Sequence, residues 1–305
     1  RRCAVAFVLR YSHLSKALCF YSEIIIMEQV FLKSKPRIIV VMSLLMVVII
    51  AIATKPSSKG LELSDCNLDA VATTHVHFFV DEEVLASSTL DEIKKSMNQS
   101  IKYANQVLDN SCIPLQRKIG KVSAISLDKN TVNSLSSARR IVKKVLENEG
   151  ITVSDTHTNE LYGLIFHKRY ERLLGLSGQA SPYFGGWFFA ISSGSPIHAL
   201  EHELGHLSWA QHRESSPIPN LTLFLKSAVP QEYQEKLIPY ARAFKCGDSG
   251  TIMSYERNVL PIYSSPLIKY QDHACGDVDS GDNARVLREF ALEMLKQENT
   301  QEPKT

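Results

Sequence analysis

The stretch HELGHLSWAQH, residues 202–212, decides how the rest of the chain is read. His202 and His206 stand four apart, so on a helix both imidazoles leave the same face, one turn from each other. Two ring nitrogens spaced in this way can meet one Zn2+ at about 2.0–2.1 Å. Glu203 falls on the rim of that face, where a carboxylate can take a proton from water and pass it to a leaving amine. Upstream, Ser195 can cap the helix and Pro196 can take its first position. His212 is a different case. On a straight helix it would lie about 9 Å beyond His206 along the axis and off its face. It can be a third ligand only if the helix breaks in between, and the bulky Trp209 stands in that interval.

A second motif lies further on, CGDSGTIMSYERN at 246–258. His-Glu-x-x-His, a third histidine six residues later and then a Met-containing turn together resemble the metzincin zinc endopeptidases. SGTIMSY (249–255) is similar to their Met-turn. YSSPLIKYQDHACGDVDSGDNARVL (263–287) resembles the bacterial reprolysin-like members. The resemblance covers about residues 70–295, is sharp at 198–212 and 250–287 and is faint elsewhere. It implies an α+β fold: a twisted, mostly parallel sheet with one antiparallel edge strand, an active-site helix and a C-terminal helix. It also implies that His202, His206 and His212 bind Zn2+, that Glu203 is the general base and that Met253 forms an apolar floor under the metal. Tyr255 matches the tyrosine that some members aim at the zinc or the oxyanion, where a phenol can stabilise a tetrahedral intermediate; the other reading makes it a turn-packing aromatic.

Trp209 departs from the pattern, because the family usually has glycine there, where the chain reverses with positive φ. A non-glycine residue in the left-handed region costs roughly 1–2 kcal/mol, against roughly 10–16 kcal/mol for a structural zinc in small peptides. The reversal can also move to Ser208 or Ala210, which would lay the indole over a ligand histidine. A site of two histidines and a downstream glutamate would draw on Glu232 or Glu235 of QEYQEKL (231–237), without the surroundings such sites have. His198 shares the face of His202 and His206, but three ligands along a straight helix cannot close on one ion, so it reads as a wall residue. His75 and His77 in THVHFF lie on one strand face and read as solvated or packed. The resemblance makes the strand just before the active helix the edge that pairs with extended substrate, with Gly185 and Gly186 permitting close approach. It also makes 256–266 the wall of an apolar pocket, with Pro261, Ile262 and Tyr263.

Patterning supplies the other elements. THVHFFV (74–80), LQRKIGKVSAISL (115–127), ELYGLIF (160–166) and GWFFAIS (186–192) read as strands. Thr89 and Glu92 make a capping-box pair, and Ile93, Met97, Ile101, Ala104 and Leu108 form one helical face. SARRIVKKVLENEG (137–150) carries a stripe of Ile141, Val142, Val145 and Leu146 and stops at Gly150. A terminal helix over 282–297 starts at an Asp/Asn cap and turns Val286, Leu287, Phe290, Met294 and Leu295 inward. Strands separated by helices predict a largely parallel sheet with helices packed on it.

The ends and the charge bound the context. Residues 1–26 read as upstream leader or non-native sequence. Residues 27–53, basic then apolar with a closing Ala51-Ile52-Ala53, read as a signal peptide or a membrane anchor. Residues 54–65 are a linker, 66–297 the catalytic domain and 298–305 a frayed tail. Seven of the 34 Lys/Arg and two of the 32 Asp/Glu fall in 1–53. The remaining 27 basic and 30 acidic residues give the body a net charge of −3, with no basic stripe, which argues against nucleic acid. The body's four cysteines allow three pairings; Cys66–Cys112 and Cys246–Cys275 are expected, as neighbours closing modest loops in an oxidising compartment. The expectation is an exported zinc endopeptidase, secreted or periplasmic, monomeric, acting on peptide or protein substrates. It would touch a membrane only through an N-terminal anchor, with the body facing outward. The alternative is a non-catalytic, zinc-stabilised module that binds peptides or a partner.

Overall fold

The computed structural model describes residues 60–128, 130–153, 159–175, 177–184, 186–214 and 220–301. The leader, the signal or anchor segment, the first half of the linker (54–59), the last tail residues and Gly185 lie outside the described residues. In chain order the elements are β1 (Leu61–Glu62), β2 (Ala72–Asp81), α1 (Leu90–Asn110), β3 (Leu115–Ile125), α2 (Leu135–Asn148), β4 (Glu160–Phe166), β5 (Gly178–Ala180) and β6 (Phe188–Ser192). There follow α3 (Ala199–Leu207), α4 (Leu221–Ala228), β7 (Lys245–Cys246), β8 (Ser249–Gly250), β9 (Ser265–Tyr270), β10 (His273–Cys275) and α5 (Asn283–Gln301), with short helical turns between some of them.

Local chemistry explains the long helices. The Thr89 hydroxyl accepts the Glu92 N–H while the Glu92 carboxylate accepts the Thr89 N–H, which closes a reciprocal cap at the start of α1. Ile93, Ile101, Ala104 and Leu108 are buried along it. Helix α2 begins two residues earlier than its stripe predicts, at a Ser134 cap, and the chain leaves it through Gly150 at φ 76°. At α5, Asp282 accepts the Arg285 N–H and so does the capping. Helix α3, which carries His202 and His206, starts later than Ser195-Pro196 suggests. The Ser195 hydroxyl donates back to the Ser192 carbonyl instead of capping, and His198 takes the N-cap position.

The main sheet has the order β3-β2-β4-β6-β5. Strands β3, β2, β4 and β6 run parallel and β5 runs antiparallel to β6. The architecture is therefore mixed α+β, with a mostly parallel five-stranded sheet and one antiparallel edge. One expectation is corrected here. Strand β6, the strand before α3, is an inner strand, because the three residues of β5 pair along its free side and become the edge themselves. Such a short run leaves almost no periodicity to read.

Alternation in β6 divides the core. Phe188 and Ala190 join Val142 and Leu146 of α2 on one face of the sheet. Phe189 and Ile191 join Ile93 and Ile101 of α1 and Leu200, Leu204 and Leu207 of α3 on the other. A smaller antiparallel sheet, β1-β9-β10, lies apart from the first, with Leu61 opposite Tyr270. Leu61 and Glu62 belong to the segment that reads as linker. Cys66–Cys112 and Cys246–Cys275 are both bonded, and two disulfides point to an extracellular or periplasmic protein. Among the described residues no helix is long and apolar enough to cross a membrane.

A buried ion pair seats α3 against the sheet. The Arg117 guanidinium of β3 donates to both carboxylate oxygens of Glu201, at 3.2 Å each, and to the Thr74 hydroxyl of β2 at 3.1 Å. The Tyr263 hydroxyl donates to the same carboxylate at 2.7 Å. Arg117 and Glu201 side chains are both fully buried. Removing one partner strands the other charge in the core, which costs about 3–5 kcal/mol. Arg117→Met is therefore expected to lower the unfolding free energy of the full chain by about that amount in a urea titration, and a further Glu201→Leu to recover much of it. A loss under about 1 kcal/mol in the single variant would show that this pair does not seat the helix.

Candidate metal centre

The helix break that the third histidine requires lies at Trp209. Ser208 keeps φ −95°, and Trp209 turns to φ 69°. The Trp209 N–H donates to the His206 carbonyl and the Ala210 N–H to the Gly205 carbonyl. These two bonds are the Schellman closure, which ends a helix with its next residue left-handed. The indole does not lie over a ligand histidine. It packs with Leu221 and Leu225 of α4 and with Val229, its ring 5.9 Å from that of Tyr233. Trp209 is 9% exposed. Burying an indole's roughly 150–250 Å2 supplies about 4–6 kcal/mol as an upper bound, more than the roughly 1–2 kcal/mol of left-handed strain.

Beyond the break the chain brings His212 back to the other two. The ring centroids are 5.1 Å apart for His202–His206, 5.0 Å for His202–His212 and 4.5 Å for His206–His212. One ring nitrogen from each lies within 4.8 Å of the others. Among the described residues this is the only group of three or more His, Cys, Asp or Glu side chains gathered closely enough to hold a metal ion.

Each imidazole is turned by its far nitrogen. His202 Nδ1 lies 2.9 Å from the Ile252 carbonyl, His206 Nδ1 3.0 Å from that of Ala210 and His212 Nδ1 3.0 Å from that of Met253. A carbonyl only accepts, so Nδ1 carries the proton in all three rings and Nε2 keeps its lone pair. Burial, helped by the neighbouring His212, pushes the His202 pKa down to about 3; burial pushes His212 down to about 4 and His206 well below its ordinary value. The three rings are neutral at neutral pH. Neutral imidazoles with inward Nε2 lone pairs form a donor set that suits Zn2+.

The turn after β8 supplies two of those carbonyls. The Ser254 N–H donates to the Thr251 carbonyl at 2.8 Å, closing a tight turn with Ile252 and Met253 at its centre. Met253 is fully buried. A Cβ added to Gly205, between His202 and His206, would lie 2.7 Å from Met253 Sδ and 2.8 Å from the Tyr263 hydroxyl. The thioether thus rests against the underside of α3, where only glycine leaves room for it. The exposed Tyr255 comes back over the rings, its hydroxyl 3.0 Å from His212 Nε2.

Glu203 lies beside the triad and is 5% exposed. Burial pushes its carboxyl up to about 8; a cation among the imidazoles would draw it down again. Its neighbour is the edge strand: a Cβ on Gly178 would lie 2.9 Å from Glu203 Oε1 and 2.7 Å from the Ala190 carbonyl oxygen. Gly178, Arg117 and Glu201 escape the sequence reading, since nothing local distinguishes them from any glycine or surface charge.

Other candidates fall away from the centre. Ile262 and Tyr263 are fully buried and Tyr263 is tied to Glu201, so these two are core and do not line an open pocket. Glu232 and Glu235 lie on a 3-10 turn outside the gathered set. His198 caps α3. His75 and His77 find a partner in Glu160 of β4, at 3.1 and 2.5 Å. His77 Nδ1 accepts the Lys121 N–H, so its Nε2 is the protonated nitrogen and has no lone pair for a metal.

No family model matches the chain, and no curated protein matches it. Among solved structures, a chaperone–substrate complex aligns at a TM-score of 0.54 and 17% identity, over 75% of this chain and 35% of that one. Metalloproteinase-II from Bacteroides fragilis aligns at 0.37 and 15%, over 79% and 59%. A zinc-dependent peptidase from Methanocorpusculum labreanum aligns at 0.25 and 14%, over 53% and 99%. The chain thus spans about a third of the length of the first and under two thirds of the second. The first likeness is one of fold.

The packing of Trp209 yields a signed expectation. Trp209→Gly relieves roughly 1–2 kcal/mol of strain but forfeits about 3–5 kcal/mol of core packing. Urea unfolding of the full chain is expected to show a net loss of about 1–4 kcal/mol. A stabilised variant would mean that the indole contributes nothing to the break.

Proposed function

We propose that this chain is an exported zinc-dependent endopeptidase of the metzincin type, with His202, His206 and His212 as zinc ligands and Glu203 as general base. The observation that carries the proposal is the convergence of three neutral imidazoles, each turned inward by a backbone carbonyl on its Nδ1, with a buried carboxylate beside them. Zinc, when bound, supplies Lewis acidity toward a peptide carbonyl.

The chain's own groups do the rest. Glu203 takes the proton of the attacking water and returns it to the leaving amine. Gly178 leaves space for that carboxylate beside the edge strand. The Tyr255 hydroxyl, a donor at neutral pH, stabilises the oxyanion as charge builds on the former carbonyl oxygen. Met253 is the apolar floor that keeps α3 at its depth. The substrate is a peptide or protein, and the working species is a monomer. The two disulfides support a secreted or periplasmic location, with an N-terminal anchor as the one route to a membrane. The reading as a non-catalytic module leaned on Trp209, and that residue adopts the left-handed conformation the break needs.

The full chain is expected to bind one zinc and to cleave denatured casein in a chelator-sensitive manner. Glu203→Gln is expected to keep the metal and to lower kcat/KM by about 10²–10⁴-fold. One zinc per chain with no cleavage would favour the non-catalytic module, and zinc binding unchanged by His212→Ala would sink the three-histidine site. For Tyr255→Phe the expectation is a drop of about 10²-fold in kcat with little change in KM, read from steady-state kinetics on a cleaved peptide. An unchanged kcat would make Tyr255 a packing residue.

A further inference from the structure

The structure assigns a positioning role to Asn283: its side-chain amide holds the backbone that carries the third histidine. This inference rests on the proposed metal centre and adds a residue that touches neither metal nor substrate. Past Trp209 the chain has left α3 and joins no strand, yet Gln211 is buried at 6% exposure. Its buried N–H and C=O need partners. The Gln211 N–H donates to Asn283 Oδ1 at 3.2 Å, and Asn283 Nδ2 donates to the Gln211 carbonyl at 3.0 Å. One planar amide thus pairs both backbone groups of a single residue, as a neighbouring strand would. The second lone pair of the Gln211 carbonyl takes the Ala243 N–H at 2.9 Å.

Asn283 is itself fixed. It is fully buried, and its N–H donates to the Ser264 hydroxyl at 2.9 Å, which in turn donates to the Arg242 carbonyl at 2.6 Å. The start of α5 does not account for the residue, because Asp282 already performs the cap. Few side chains can replace it: the job needs an acceptor and a donor held side by side in one plane, at a reach serine lacks. His212 follows Gln211 directly, and its own tie is the bond to the Met253 carbonyl. The amide sets where the third ring sits, and that carbonyl sets how it is turned. His202 is carried by α3 alone, and His206 feels Asn283 only through the Ala210 carbonyl, which shares its peptide plane with the Gln211 N–H.

This dependence, strongest at the third histidine, makes the role testable in the full chain by zinc competition titrations. Asn283→Leu and Asn283→Ala are each expected to weaken zinc binding by about 10–100-fold, the usual effect of losing an outer partner of a ligand. In a His212→Ala background the same substitutions are expected to cost a clearly smaller factor, because only the route through the Ala210 carbonyl and His206 is left. Wild-type affinity in both variants overturns the proposal, and so does an equal loss in the His212→Ala background, which would mark a general effect on folding. If both variants fail to fold, amide exchange in the wild-type, zinc-free chain decides: a protected Gln211 N–H supports the clamp, and one exchanging like an exposed loop overturns it. A wild-type chain that binds no zinc fails the metal-centre reading itself, a result separate from any difference between variants.

Discussion

Three imidazoles can meet at one point only if the chain that carries the first two stops being a helix before it reaches the third. A straight helix would carry His212 about 9 Å past His206. The stop is made by Trp209 at φ 69° and by the two hydrogen bonds that close the end of α3. The same break delivers the Ala210 carbonyl to His206 Nδ1, so one local event both frees the third histidine and turns the second. An indole is a costly choice for a left-handed residue. It is sustained by its burial against α4 and Tyr233, and the segment between His212 and the Met253 turn is thereby part of the helix stop.

The opposite side of the site is built by chain far away in sequence. The turn at Thr251–Ser254 gives carbonyls to His202 and His212 and sets Met253 Sδ against Gly205. The Cys246–Cys275 bridge ties β7, next to this turn, to β10. Below α3, the Arg117–Glu201–Tyr263 cluster fixes the helix to β3 and β2 at the residue just before His202. A buried ion pair is not a cheap source of stability. Its geometric effect is clearer: it sets the register of the helix on the sheet one residue away from His202.

What could be read in the sequence was what is local. The His202–His206 spacing, the Thr89–Glu92 cap, the β4 strand and both disulfide pairs follow from neighbours a few residues apart or from cysteine arithmetic. Groups that matter through distant partners could not be read. Glu160 answers His75 and His77 across 80 or more residues, and Arg117 meets Glu201 across 84. The edge strand β5 is three residues long and carries no alternation, so the sequence places the edge of the sheet one strand too far inward. The apolar run at Pro261–Tyr263 suggested a pocket because hydrophobic residues look alike whether they line a cleft or fill a core. Trp209 was the opposite case: the glycine rule is local, but its exception depends on α4 and Tyr233, which lie later in the chain.

The chemistry of the rings limits what Tyr255 can do. His212 Nε2 has one lone pair, and the Tyr255 hydroxyl lies on it at 3.0 Å. Ligation through that nitrogen and acceptance of the phenol proton exclude each other. A cation entering the triad must therefore displace one hydrogen bond, which is a small cost beside the coordination free energy of about 10–16 kcal/mol for structural zinc sites. The displaced hydroxyl is then a free donor on an exposed ring beside Glu203. All three rings are tied through Nδ1 and neutral by burial, and the Tyr255 hydroxyl is what sets His212 apart. Tyr255 is thus the group whose hydrogen bond a bound metal would release, and the three rings tied through Nδ1 are those a metal would use.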